Sequence, residues 1–224
     1  MIDLHLHTSS SVFTHSPSVL VRPGLESCIT TMSATDHYSV AALAASAAEA
    51  GRAGIAFVPG IEITAAWRGR DVHVLGYFLD PASPALRAFL EAQIADRIRR
   101  AREVGERLAA LGAPIDVEAL IARLNGQPLL RPHIAAALVD AGHAADGVEA
   151  FDRFIGEGKP AYVPRRGATP AEVVARIHEA GGIASMAHPG VTHVDPLIPR
   201  LAADGLDAIE AYHTDHPADE TARY

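Results

Sequence analysis

The chain has 224 residues, 49% hydrophobic and only 5% aromatic, which allows one large domain or a barrel with an insertion and disfavours an all-β sandwich. Its formal net charge of −8 excludes a general nucleic-acid coat protein, whose basic face must neutralise phosphates, and argues against duplex nucleic acid as a partner. A single cysteine, Cys28, allows no internal disulfide, and no signal-peptide pattern or apolar run of about 18 residues is present, so a cytoplasmic protein without a membrane span is expected.

Residues 2–6 read as a first strand and 29–34 as a second, the latter running into Thr35-Asp36-His37. The Ala-rich stretch 39–51 between the second and third strands is helical and closed by Gly51. Ile55 to Val58 is a third strand, followed by Pro59-Gly60 and then Ile61-Glu62-Ile63, and Val72 to Phe78 is a fourth. This alternation predicts parallel β/α units. From about 84 to 157 no strand pattern occurs. A long helix is expected over 84–111, with shorter ones near 116–124, 132–141 and 147–156. Thr169-Pro170-Ala171-Glu172 has the form of a capping box with proline at the first helical position. Ile183 to Ala187 and Ala208 to Tyr212 are two more strands. The expected organisation is therefore 1–80 as scaffold, 81–158 as a helical insertion and 159–224 as scaffold again.

Histidine is over-represented, with twelve copies against one Trp and three Met, and its placement carries the chemistry. His5 and His7, two apart on a strand, point to one face. Asp36-His37 ends the second strand, Glu62 follows the third, His73 lies on the fourth and His188 ends the fifth. A parallel β/α scaffold gathers the C-terminal ends of its strands at one mouth, so these groups converge. One histidine at a strand end is most often a hydrogen-bonded structural residue, but a set at successive ends is a metal site. Imidazoles with a carboxylate suit Zn, Mn or Fe.

The ordered segments Asp3-Leu4-His5-Leu6-His7-Thr8, Thr35-Asp36-His37, Gly60-Ile61-Glu62, Val72-His73-Val74-Leu75-Gly76 and Ala187-His188-Pro189 resemble the motifs of the PHP (polymerase and histidinol phosphatase) superfamily. That resemblance spans the chain. It implies an α/β fold, a distorted seven-stranded TIM-like β/α barrel, holding two or three divalent ions through His5, His7, His37, Glu62, His73 and His188, with Glu62 as bridge. Within the superfamily the chain is most similar to nucleoside 3′,5′-bisphosphate and nucleotide phosphatases, which carry a helical lid after the fourth strand. The resemblance then implies that Arg97, Arg100, Arg131 and His133 contact substrate phosphate, whereas spacing alone makes 97–102 a solvated basic helix face. Lys159, Arg165 and Arg166 read as solvated loop cations.

The chain departs from the family pattern in two places. Val12 stands where the family has a metal-ligating acid, with His15 nearby in sequence, and no strand carrying Asp-x-His follows the sixth. These departures predict fewer metals and weak activity, with His213 and His216 as possible replacements. The expected function is a metal-dependent phosphohydrolase acting on a small phosphorylated substrate, with a nucleoside 3′,5′-bisphosphate preferred. The alternatives are a histidinol phosphate phosphatase, a 5′-to-3′ exonuclease on short oligonucleotides, and a non-catalytic metal- or nucleotide-binding module.

Overall fold

A computed structural model describes residues 1–8, 28–124 and 129–224; Val12 and His15 lie outside them. The chain packs as two compact units, Met1–Glu91 together with Gly167–Tyr224, and Ala92–Arg166.

The first unit is built on a six-stranded sheet in the order β1-β2-β3-β4-β5-β6, with β1 Ile2–Leu6, β2 Thr31–Ala34, β3 Ala56–Trp67, β4 Arg70–Tyr77, β5 Ile183–Met186 and β6 Ala208–Ile209. The pairs β1–β2, β2–β3 and β5–β6 are parallel. Contrary to the expectation of uniformly parallel β/α units, β4 runs antiparallel to both β3 and β5. The reason is local. Trp67 pairs with Arg70 across Arg68 and Gly69, whose φ angles of 51° and 84° give the two-residue turn that suits the twist of a hairpin. Pro59-Gly60 does not interrupt β3, which runs on through Glu62.

The sheet is curled into a half-barrel. In a flat sheet, five spacings of about 4.8 Å would hold β1 roughly 24 Å from β6. Here His5 of β1 hydrogen-bonds Glu210 just after β6 at 2.9 Å. The Tyr77 hydroxyl of β4 donates to the Leu4 carbonyl of β1 at 3.1 Å. Leu4, Val58, Leu75, Tyr77 and Ala187 accordingly pack together. Alternation along β4 puts His73, Leu75 and Tyr77 on one face and Val72, Val74 and Gly76 on the other. On that second face, a Cβ at Gly76 would lie 3.1 Å from Ile177, on the helix Pro170–Glu179.

The first helix among the described residues, α1, is Leu43–Arg52, whose Ala50 packs with Met32 and Ile55. The long helix α2, Pro84–Ala110, begins in this unit. Ala92–Arg166 is helical: the remainder of α2, then α3 Val117–Leu124, α4 Arg131–Asp140 and α5 Gly147–Ala150, the last running into a π-helical turn at Phe151–Ile155. Val104, Leu108, Leu138 and Ile155 are buried in its own core. Back in the first unit, α6 Pro170–Glu179 opens on the anticipated capping box: Thr169 Oγ1 accepts from the Glu172 amide, and Glu172 accepts from the Thr169 amide at 2.7 Å. The unit's described residues also form the short helices α7 Pro189–Thr192, α8 Ile198–Ala203 and α9 Ala218–Arg223.

Candidate metal centre

Glu62 lies mid-strand on β3 and is 1% exposed. Its backbone is fixed on both sides: its amide donates to the Asp36 carbonyl, and its carbonyl accepts from the Tyr38 amide. That extension of β2 brings His37 level with Glu62. Asp36 is held in turn by Thr8, whose amide and hydroxyl both donate to it at 2.6 Å. The last residue of the first motif and the first acid of the second therefore lock two strand ends together.

Five imidazoles surround the Glu62 carboxylate. Oε2 lies 3.5 Å from His5 Nε2, 3.2 Å from His7 Nε2 and 3.1 Å from His37 Nδ1. Oε1 lies 2.7 Å from His73 Nδ1 and 3.4 Å from His188 Nε2. All six residues expected from sequence to form the metal site are thus brought together. His73 arrives from an antiparallel strand: it pairs with Thr64, and its inward face rather than a strand end delivers it.

The sequence reading missed Glu210. β6 pairs with β5 through Met186–Ile209, and the Glu210 amide continues the ladder to the Met186 carbonyl at 2.9 Å. This sets its carboxylate against His5 Nδ1 at 2.9 and 3.1 Å, and Oε2 also accepts from the His188 amide at 2.8 Å. A signal was available, because Glu210 is the one acid inside the strand expected over Ala208 to Tyr212, but the observed strand ends at Ile209 and leaves Glu210 at its C-terminal end. His213 follows closely, its ring 5.9 Å from that of His5 and 5.2 Å from that of His188. His216 does not supply a free ligand atom. Its Nδ1 bonds the Ala211 carbonyl at 2.9 Å and its Nε2 accepts from the Gly190 amide at 3.2 Å, so it is structural.

The electrostatics follow from this crowding. Burial would raise the Glu62 carboxyl, but the charges of His73 and His37 and bonds from His188 and His5 hold it well below the usual carboxylate range. Burial would likewise raise Glu210, but the His5 hydrogen bond and charge and the His188 amide lower it. Burial works against a charged His5, yet its bonds to Glu210 and Glu62 push it up to about 10.

The four predicted substrate residues all lie in the second unit. Arg97, Arg100 and Arg131 line one pocket with Leu129, Ile134 and Ile155. The expectation of a solvated basic helix face is overturned: Arg97 and Arg100 are only 8% and 6% exposed. Arg100 Nε donates to the Val163 carbonyl at 2.6 Å, and its guanidinium lies 5.5 Å from the Tyr162 ring centroid. His133 Nδ1 accepts from the Leu130 amide. Burial, then the Arg123 and Arg97 charges, lower the His133 pKa and favour its neutral form. Arg165, read as a solvated loop cation, is also buried.

The donor set fits divalent metal. Among the described residues three groupings place one ligand atom per residue within 4.8 Å of one another: His5–Glu62–His188, His7–His37–Glu62 and His5–Glu210–His213. Glu62 Oε2 is buried with no hydrogen bond of acceptable geometry although three imidazoles face it. A cation between those rings would satisfy it.

No family model matches the chain. Over 219 residues it is 36% identical to the 5′-3′ exoribonuclease Rnm of Salmonella typhimurium, covering 97% of this chain and 72% of that protein. Over 229 residues it is 33% identical to the 3′,5′-nucleoside bisphosphate phosphatase of Chromobacterium violaceum, covering 100% of this chain and 80% of the relative. The crystal structure of a candidate metal-dependent phosphoesterase of Bifidobacterium adolescentis superposes with a TM-score of 0.85 at 28% identity, over 99% of this chain and 80% of that one. With these relatives, the half-barrel and the cage of imidazoles around Glu62, the chain belongs to the PHP superfamily of metal-dependent phosphoesterases.

Proposed function

We propose that this protein is a phosphomonoesterase that removes the 3′-phosphate of a nucleoside 3′,5′-bisphosphate. The observation that carries the reading is the convergence of five imidazoles on the buried Glu62 carboxylate. His5, His7, His37, Glu62, His73 and His188 would hold two or three ions of Mn, Fe or Zn, with Glu62 shared between them. Bound ions would supply Lewis-acid polarisation of the phosphoryl group and of the attacking water. The protein's own part is to hold the ring nitrogens in place and keep the carboxylate ionised. Arg97, Arg100, Arg131 and His133 are assigned to substrate phosphate, since guanidinium forks match phosphate oxygens. The sheet is read as the greater part of the superfamily's seven-stranded barrel and the helices of 92–166 as its lid. A cytoplasmic setting suits the lone Cys28.

The 36% identity to a 5′-3′ exoribonuclease favours a second reading, 5′-to-3′ exonucleolytic hydrolysis of short oligonucleotides. The test is a panel of adenosine 3′,5′-bisphosphate, a 5′-phosphorylated oligoribonucleotide and histidinol phosphate, each with Mn and with chelator. We expect the highest kcat/KM on the bisphosphate and none in chelator. A higher kcat/KM on the oligonucleotide transfers the assignment to the nuclease reading. Metal binding with no turnover of any of the three would leave only a binding module.

A further inference from the structure

Glu210 is a half-buried carboxylate that the sequence motifs do not include, and it serves two separate segments of the chain. Both oxygens lie near His5 Nδ1, Oε1 at 2.9 Å and Oε2 at 3.1 Å, and Oε2 also accepts the His188 amide at 2.8 Å. His188 needs that anchor, because it has φ 26° and ψ 62°, a conformation a non-glycine residue holds only when its surroundings impose it. His5 Nε2 points the other way, toward Glu62 at 3.5 Å. A carboxylate on one imidazole nitrogen holds the proton there and leaves the other nitrogen's lone pair for a cation.

We propose that Glu210 is a positioning residue that fixes His5 as an Nε2 donor and sets the backbone that presents His188. This rests on the reading of His5 and His188 as ligands. An ionised Glu210 can accept from both His5 Nδ1–H and the His188 amide. An amide in its place cannot: once its oxygen takes the His188 amide, its NH2 faces His5 Nδ1. That ring then accepts at Nδ1 and carries its proton on Nε2, the atom that should meet the cation.

The experiment combines nitrogen-15 NMR of the His5 ring in the Zn-loaded protein with Zn affinity measured by chelator competition. In the unaltered protein we expect a protonated Nδ1 and a Zn-bound Nε2. For Glu210→Gln we expect affinity to fall by about 10- to 100-fold, with the melting profile of the chelator-treated protein little changed. Zn on Nδ1 in the unaltered protein overturns the inference without any variant. So does Glu210→Gln with unchanged affinity and unchanged Nε2 coordination. If Glu210→Gln and His213→Ala each remove one whole equivalent of Zn, Glu210 is itself a ligand, and the positioning role is wrong. His5→Ala separates the two levels. Undiminished Zn in that variant sinks the ligand reading and this inference with it, whereas lost Zn there beside an unaffected Glu210→Gln sinks this inference alone.

Discussion

Arg100 shows how a residue's surroundings change what its type suggests. Arg97 and Arg100, three apart on a helix, have the spacing of a solvated basic stripe, and nothing local marks them as buried. What buries them is the return of distant chain, Leu129 and Val163, whose carbonyls lie 3.5 Å from Arg97 Nη1 and 2.6 Å from Arg100 Nε. Helical periodicity reports the face and not what covers it. Arg100→Ala is therefore expected to do two things. It should weaken binding of a bisphosphorylated nucleotide, since a hydrogen bond to a charged group contributes about 1.5–3 kcal/mol. It should also lower stability, because the Val163 carbonyl loses its donor. Steady-state KM and a thermal melt on the same preparation check both, and an unchanged KM would remove Arg100 from the substrate site. Glu210 is the opposite case. Its role was open to the rule that chemistry gathers at strand ends, but β6 is only two residues long, and a short strand with no histidine beside its acid gives a weak signal.

At the scale of elements, the helices were the more legible part. The capping box at Thr169 and the run Pro84–Ala110 follow from side-chain chemistry within a few residues. Strand direction was not, because the same apolar run serves either direction and only the connection decides. Arg68-Gly69 was the clue to the antiparallel β3–β4 hairpin. Gly60 shows how closely these strands approach. A Cβ there would overlap Ser33 Oγ and come within 2.9 Å of Thr35 Cγ2 and 3.2 Å of the Ala34 carbonyl. The neighbours are largely β2 and the segment just after it, so relief requires moving β2 away from the strand that carries Glu62. Gly60→Ala should cost about 1–3 kcal/mol, the usual penalty for overpacking, and should weaken metal binding through the displaced β2–β3 register. Chemical denaturation and metal titration measure the two effects. A variant as stable as the parent would mean that the strands yield at no cost.

Across the whole molecule, residues from position 5 to position 210 meet only because the sheet curls, and the price of that meeting is a set of buried charges. In the metal-free protein their signs fix how stability depends on pH. Glu62 and Glu210 are held below the ordinary carboxylate value of 4.5. Their contribution is present above that value and is lost as pH falls through the depressed ones. His5 is raised from 6.5 to about 10, so its contribution is complete below 6.5 and is lost as pH rises toward 10. Chelator-treated protein should therefore be most stable between about pH 4.5 and 6.5 and weaken on both sides. Added metal should act in the other direction, because an imidazole must shed its proton before it binds a cation, so metal stabilises more as pH rises. Melting temperatures in chelator and in excess Mn, from about pH 4 to about pH 9, would show the two curves diverging on the alkaline side. At about 100-fold excess over Kd the gap should approach about 2.7 kcal/mol per site. Parallel curves across that range would mean that the His5–Glu62–Glu210 cluster is not where the metal binds.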